Sequence, residues 1–362
     1  MNILYISALE GGKYSGPLYS VPKQVKSQGE FDNVYWVNLT PITTSNQFEE
    51  NLYHYIPFKQ FHICDLEKPF NKPDLIVFEE FFKIENCFVA REAEKNKIPY
   101  VIIPRCQMTK KYLQNKKLKK KIAGLLLFNH FARKAFAVQF LTKQEEIDSK
   151  EYYGGKLFVA PNGIDLSEDH VSHESKEEFV GTFIGRYSVW QKGLDLLIEA
   201  ISSQKELLLN KKIHFELYGP DERTGNSSDI IKLVNEHNVE DLVHVNGPVF
   251  DNDKKSVLLH SDFFVHTSRF EGMPMSVLQA LSYGLPCVVT QGSNLREEIE
   301  SFDAGWGADD NVDSIASALK CMAENIDQLK AKGCNSLRLS NKYSWNNIAR
   351  ETHLFFQKEF DN

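Results

Sequence analysis

Three charged side chains in this sequence could handle an anion and a sugar together. Arg186 and Lys192 stand in one stretch, GRYSVWQKG, directly after the apolar run Phe179–Gly185. A guanidinium fork and an ammonium together neutralise a diphosphate better than either does alone. Glu271 and Gly272 precede a segment, Met275–Ser282, whose apolar spacing (Val277, Leu278, Leu281) predicts a helix. The first N–H groups of a helix lack intrahelical partners and suit a phosphate. A carboxylate at that mouth accepts several hydrogen bonds in fixed directions and suits sugar hydroxyls. Each residue also has a plainer reading: Arg186 and Lys192 as surface charges, Glu271 as an acidic residue near a helix dipole.

Other stretches invite chemistry less directly. A Gly-rich segment, Glu10–Pro17 (EGGKYSGP), follows the apolar run Ile3–Ser7. Strand, Gly loop and helix is the phosphate side of an α/β sheet, but the loop has no Walker lysine and no GxGxxG, so a plain flexible turn stays open. Residues 110–121 (KKYLQNKKLKKK) carry seven lysines, and an apolar run with Phe128, Phe131, Arg133 and Lys134 follows. A solvated helix face and a segment lying on an anionic membrane leaflet both fit segment 110–134. A nucleic-acid patch fits poorly, because no aromatic or Arg interleaving accompanies the lysines.

Composition narrows the classes. A net charge of −7 argues against a general nucleic-acid binder. The six cysteines are scattered without a CxxC pair, which predicts reduced thiols and no zinc site. No basic leader opens the chain, and no apolar run reaches the roughly 20 residues that span a membrane. These features predict a cytoplasmic protein.

The elements that must position the charges alternate along the chain. Strands are predicted at Ile3–Ser7, Asn33–Asn38, Pro73–Phe78, Pro99–Pro104, Phe136–Phe140 and Leu157–Ala160, and helices at Leu18–Gly29, Ile84–Asn96 and Lys143–Tyr152, with Thr142 as an N-cap. Leu39–Glu67 shows no clear period. The polar stretch Asp165–Glu178 reads as a linker. A second series follows: strands Phe179–Gly185, Ile213–Tyr218, Val243–Asn246, Asp262–Thr267 and Cys287–Thr290, with helices between them. Helices Asn311–Ala323, Ile326–Gly333 and Ser344–Phe360 complete it. Strands alternating with helices argue for doubly wound parallel sheets, whose ligands bind at the strand C-termini.

GRYSVWQKG, then LYGP, VNGPV and SRFEGMPMSVLQALSYGLPCVVT, resemble in order the retaining glycosyltransferases of family 4, also called group 1. The likeness is almost continuous from Phe183 to Thr290. It is looser before that, at Ser15-Gly16-Pro17, Pro104-Arg105 and Pro161-Asn162-Gly163. Ser344-Trp345 resembles the start of the family's last helix.

The resemblance implies the GT-B fold: α/β, two Rossmann-like doubly wound domains facing across a cleft. Residues 1–165 plus 344–362 would bind the acceptor and residues 166–343 the nucleotide sugar. The C-terminal helix would cross back to the first domain. By the same resemblance, Arg186 and Lys192 hold the diphosphate and Glu271 the donor sugar. From Gly272 to Ser276, with Met273, Pro274 and Met275 between, the segment offers its backbone N–H groups (Pro274 has none) and the Ser276 hydroxyl to phosphate. Gly16 lets backbone approach the phosphates, and residues after Gly219 and Gly247, among them Val249, line the base.

Three departures stand out. The family's pattern places a second glutamate after Glu271 and seven residues, where this chain has Gln279. Gln can still accept ribose hydroxyls through its carbonyl, but without charge, at a cost of about 1 kcal/mol. The N-domain histidine of some members has no match, and Arg105 is the candidate substitute. Cys106 stands where the related element has Gly.

The implied reaction is retaining transfer from a nucleotide sugar, UDP-linked ahead of GDP-linked, to a glycan acceptor on a lipid carrier, as in O-antigen or capsule assembly. It needs no metal and no cofactor. The protein would be peripheral on the inner face of the cell membrane, held at the anionic surface through 110–134. A non-hydrolysing nucleotide-sugar epimerase and a non-catalytic partner subunit remain as alternatives.

Overall fold

Each apolar run read as a strand becomes a strand of one of two parallel sheets. The computed structural model describes residues 1–10, 16–42, 52–109, 127–172, 176–221 and 225–360. Most of the Gly-rich loop (11–15) and most of the lysine segment (110–126) lie outside the described residues.

Contacts divide the chain into two units, Met1–Gly163 with Trp345–Asn362, and Ile164–Ser344. The first unit holds β1 (Asn2–Ser7), β2 (Asn33–Asn38), β3 (His54–Tyr55), β4 (Leu75–Glu79), β5 (Tyr100–Ile103), β6 (Ala137–Phe140) and β7 (Lys156–Val159), in the order β3-β2-β1-β4-β5-β6-β7. The second holds β8 (Phe179–Ile184), β9 (Ile213–Tyr218), β10 (Val243–Asn246), β11 (Phe263–His266), β12 (Cys287–Thr290) and β13 (Gly305–Ala308), in the order β10-β9-β8-β11-β12-β13. All pairings are parallel. Strand order reverses between β1 and β4 in one unit and between β8 and β11 in the other. Both sheets are therefore doubly wound, and each unit is Rossmann-like.

The central strands are buried along their whole length, as a parallel sheet covered on both faces requires. In the second unit Phe263 pairs with Gly181. A Cβ on Gly181 would run into the Phe263 ring, so the glycine is what admits the phenylalanine to the core. In the first unit Asn38 ties β2 to the end of β1. Its Oδ1 accepts from Ser7 Oγ at 2.6 Å and from the Leu9 N–H at 2.8 Å. The helix Trp345–Phe360 packs within this unit, with Phe355 stacked on Phe158 and Asn346 donating to Glu30.

Several elements differ from expectation. The stretch 186–193, read as loop, contains one helical turn, Val189–Lys192. The helix expected to stop at Gly333 runs Leu329–Lys342 after a 3-10 turn, because its buried face continues through Ser336, Leu339 and Ser340. Helix Arg296–Ser301 and strand β13 were not foreseen. Two glycines in β13 hide its strand character, while Gly305 admits the Cys287 carbonyl where a Cβ could not fit. Within 39–67, β3 is two residues long and two 3-10 turns follow.

After β5 the chain turns through Arg105 (φ 50°) and Cys106 (φ 62°), both left-handed and neither glycine. Such residues cost about 1–2 kcal/mol each. Buried Glu145 holds the turn, accepting from the Cys106 N–H at 2.5 Å and the Leu141 N–H at 2.8 Å. Thr142 caps the same helix through the Glu145 N–H. Burial pushes the Glu145 carboxyl up to about 7, against the two N–H groups that favour its charge. The folded state thus binds more protons than the unfolded one between the ordinary 4.5 and about 7, and stability falls as pH rises through that window. Glu145→Ala should destabilise by about 2 kcal/mol or more, since two buried N–H groups lose their acceptor. Urea unfolding should show a larger loss at pH 5 than at pH 7. An equal loss at both would mean that Glu145 is already charged at pH 5.

Candidate functional site

In the second unit the site is built where strand order reverses. The segment after β8 carries Lys192 and the segment after β11 carries Glu271, at the C-terminal ends of neighbouring strands. Their side chains meet: Lys192 Nζ lies 2.5 Å from Glu271 Oε1, and the two are only 11% and 13% exposed. Ser268 Oγ donates to the same oxygen at 2.9 Å. The ring nitrogen His266 Nε2 sits 3.0 Å from Ser268 Oγ and 3.6 Å from Glu271 Oε1.

The backbone places these atoms by close approach. Lys192 ends its helical turn, and Gly193 then adopts φ +61° to start helix Leu194–Ser203. A Cβ at Gly193 would strike the Thr267 carbonyl. Thr267 Oγ1 donates to the carbonyls of Lys192 and Gly193 at 3.2 and 3.1 Å, clamping this turn to the end of β11. Asn294 Nδ2 donates to the Glu271 and Gly272 carbonyls at 2.6 and 3.1 Å, fixing the loop from the other side.

The charges follow from this burial. Desolvation opposes ionisation of Glu271, but the Lys192 ammonium, then His266, outweigh it and hold the carboxyl well below the usual range. Burial lowers His266 from its ordinary value against the pull of Glu271. The pair is a carboxylate and an ammonium held almost out of water. There an added hydroxyl or phosphate oxygen meets a stronger field than at the surface.

Helix Met275–Ser282 starts beside Glu271, with Pro274 at its N-cap, no side-chain cap and no acidic residue in its first turn. Its N-terminal partial charge is therefore unopposed from within the helix. Ser276 and Gln279 are three residues apart, on one face, and both are half-buried, whereas Val277 and Leu278 are buried. Met273 and Pro274 are buried, and Gly272 and Met275 half-buried.

Arg186 is half-buried just past β8, on the segment that carries Lys192. Gly219 follows β9, where a Cβ would run into the Gly185 carbonyl, so its glycine is already required by packing. Val249 is half-buried after β10.

In the first unit, Gly16 opens helix Gly16–Gln28, and among the described residues a Cβ there would meet nothing within 4 Å. Arg105 belongs to the first unit too, and its guanidinium is engaged there. Nε donates to Glu79 Oε2 at 2.7 Å, Nη1 to Ser20 Oγ and Asn162 Oδ1, and Nη2 to Gln24 Oε1. The arginine binds four partners around its own strained turn.

Sequence reasoning missed His266, Ser268, Thr267 and Asn294. One signal was available: a histidine in the otherwise apolar run Phe263-Phe264-Val265-His266, where a buried strand needs none. It also missed the clamp beside them. Arg269 forks onto Asp195 at 2.7 and 2.8 Å and donates to the Trp190 carbonyl. Its guanidinium lies over the Trp190 ring, 5.6 Å from the centroid, and Phe270 leans against the same ring. Trp190 stays 54% exposed. Among the described residues no group of three or more His, Cys, Asp or Glu is placed to hold a metal ion.

Residues 166–333 match the family described as Glycosyl transferases group 1. The chain is similar to the Escherichia coli UDP-Gal:alpha-D-GlcNAc-diphosphoundecaprenol alpha-1,3-galactosyltransferase, 28% identical over 54% of this chain and 53% of that protein. It is also similar to the putative teichuronic acid biosynthesis glycosyltransferase TuaC of Bacillus subtilis, 27% identical over 60% of this chain and 53% of that one. The chain spans about half the length of these curated relatives. Anabaena Alr3699/HepE, solved in complex with UDP and glucose, superposes with a TM-score of 0.75 at 16% identity, over 99% of this chain and 100% of that one. That likeness is one of fold, two Rossmann-like units of the GT-B kind.

The ion pair has a thermodynamic signature. Lys192→Met strands a buried carboxylate and should cost about 3 kcal/mol in urea unfolding, whereas Lys192→Met with Glu271→Gln should cost less than the two single changes added together. Additive losses would mean that the two side chains do not interact in solution.

Proposed function

From the match of residues 166–333 to the group 1 glycosyl transferases, we propose that this protein moves a sugar from a nucleoside-diphosphate sugar to a glycan acceptor, with retention of the anomeric configuration. The observation that carries this is the buried Lys192–Glu271 pair beside the uncapped start of helix Met275–Ser282. It sets a cation, a hydroxyl acceptor and a phosphate-seeking backbone side by side.

Glu271 receives hydroxyls of the donor sugar. Lys192 and Arg186 face the diphosphate, and the N–H groups of Gly272, Met273, Met275 and Ser276 and the Ser276 hydroxyl take its oxygens. Gln279, one turn further on, accepts from the ribose. Residues following Gly219 and Gly247, with Val249, line the base. As the glycosidic bond breaks, charge grows on the leaving phosphates, and fixed cations and dipoles stabilise it without reorganising. Those cations carry the charge that a divalent ion would otherwise neutralise, so turnover should survive EDTA. The acceptor hydroxyl then attacks the anomeric carbon from the face the leaving group departs, and its proton passes to the departing phosphate oxygen. No side chain of the cluster is placed in the role of nucleophile.

A UDP-linked donor and a lipid-carried acceptor are proposed on the likeness to the Escherichia coli relative, whose name states both. The seven lysines of 110–121 support a peripheral site on an anionic leaflet. Replacing them with Gln should release the protein from phosphatidylserine vesicles at low salt. Unchanged co-sedimentation would remove the membrane from the proposal.

A thermal-shift series with UDP, GDP and ADP tests the nucleotide site. A ligand at about 100 times its dissociation constant adds roughly 2.7 kcal/mol to the folded state. UDP should raise the Tm of the wild type and not that of Arg186→Ala. Turnover of the matching sugar nucleotide to a product with the donor's own anomeric configuration, read by NMR, would establish retention. No shift with any nucleotide would favour a non-catalytic subunit, weakened at Gln279. Conversion of the sugar nucleotide without an acceptor would favour an epimerase.

A further inference from the structure

His266 ends β11 fully buried, its ring nearly parallel to those of Phe183 and Phe264 (16° in each case). A phenylalanine would fill this place without desolvating two ring nitrogens, which costs about 1–3 kcal/mol when they lack partners. Only part of that cost is recovered. Among the described residues Nδ1 has no hydrogen-bond partner, whereas Nε2 faces Ser268 Oγ at 3.0 Å and Glu271 Oε1 at 3.6 Å. Both groups near Nε2 can accept, so the ring proton belongs on Nε2 and the bare lone pair on Nδ1. Ser268 Oγ, once it accepts from the ring, turns its own proton towards Glu271 Oε1, 2.9 Å away.

We propose that His266 is a positioning residue for sugar transfer: through Ser268 it orients the Glu271 carboxylate that receives the donor sugar. The chain runs His266 Nε2–H to Ser268 Oγ, and Ser268 Oγ–H to Glu271 Oε1, where Lys192 also donates. One ammonium supplies a point charge and no plane, so Lys192 by itself does not fix rotation of the carboxylate about its side-chain bond. A second donor at a fixed angle, on the same oxygen, removes that freedom before substrate arrives. Pre-ordering of this kind is worth most in the transition state, where a small misplacement of an acceptor is costly. The proposal rests on Glu271 receiving hydroxyls of the donor sugar.

Three variants separate position from packing. His266→Phe keeps the ring between Phe183 and Phe264 and removes the donor. Ser268→Ala breaks the chain one step later. His266→Gln restores an N–H at nearly the reach of Nε2. With the sugar nucleotide that the wild type turns over, His266→Phe and Ser268→Ala should each lower kcat/KM by about tenfold or more. The double variant should be little worse than either single one, and His266→Gln should return to within about threefold of the wild type. Wild-type kcat/KM in His266→Phe, or losses that multiply in the double variant, would overturn the proposal.

A second readout needs no substrate. In the 15N-histidine NMR spectrum of the wild type, one neutral ring should carry its proton on Nε2, vanish in His266→Phe and shift in Ser268→Ala. A proton on Nδ1 would refute the chain of hydrogen bonds. If the wild type turns over no sugar nucleotide, it is the transferase reading that fails. The spectrum still decides the hydrogen bonds of His266.

Discussion

The second unit depends on keeping two opposite charges almost dry at the ends of two neighbouring strands. Lys192 and Glu271 are far apart in sequence, and each alone would be a poor core residue. Together they are tolerable only at short range, and short range is a demand on backbone. Gly193 must take its left-handed turn, Thr267 must hold two carbonyls, and Asn294 must hold the loop behind Glu271. The small and polar residues around the pair serve that one distance. The parallel sheet supplies the frame, because reversal of strand order between β8 and β11 sends the loops after these two strands apart and leaves room between them.

Much of this architecture was legible. Buried strands such as Leu75–Glu79 and Cys287–Thr290 are short apolar runs ended by turn residues, and helix Met275–Ser282 carries its period openly. Less legible were elements whose stability comes from neighbours rather than from their own residues. Strand β13 contains two glycines and exists because Gly305 can touch the Cys287 carbonyl. Helix Leu329–Lys342 ignores Gly333 because a buried face runs past it. The side chains of the site were visible one at a time. Their partners were not, since pairing across 79 residues of chain leaves no local period.

Arg105 shows the same limit from the other side. A basic residue next to proline, in a chain of this resemblance, suggested chemistry. The structure ties its donors to Glu79, Ser20, Asn162 and Gln24, around a turn in which two consecutive residues are left-handed. Glu79 keeps one buried oxygen without a partner even so. A residue type announces what a group can do. Only its surroundings tell whether that capacity is already used.

The Arg269 clamp has an optical consequence. Four tryptophans occur in the sequence, and Trp36, Trp306 and Trp345 are buried, at 1%, 8% and 6% exposure. Trp190 alone meets solvent, held by Arg269 on the turn that ends in Lys192. Red-shifted emission and collisional quenching by iodide therefore come from this one indole. The protein carries its own fluorophore at the edge of its charge cluster, and light reports the state of that turn without a label.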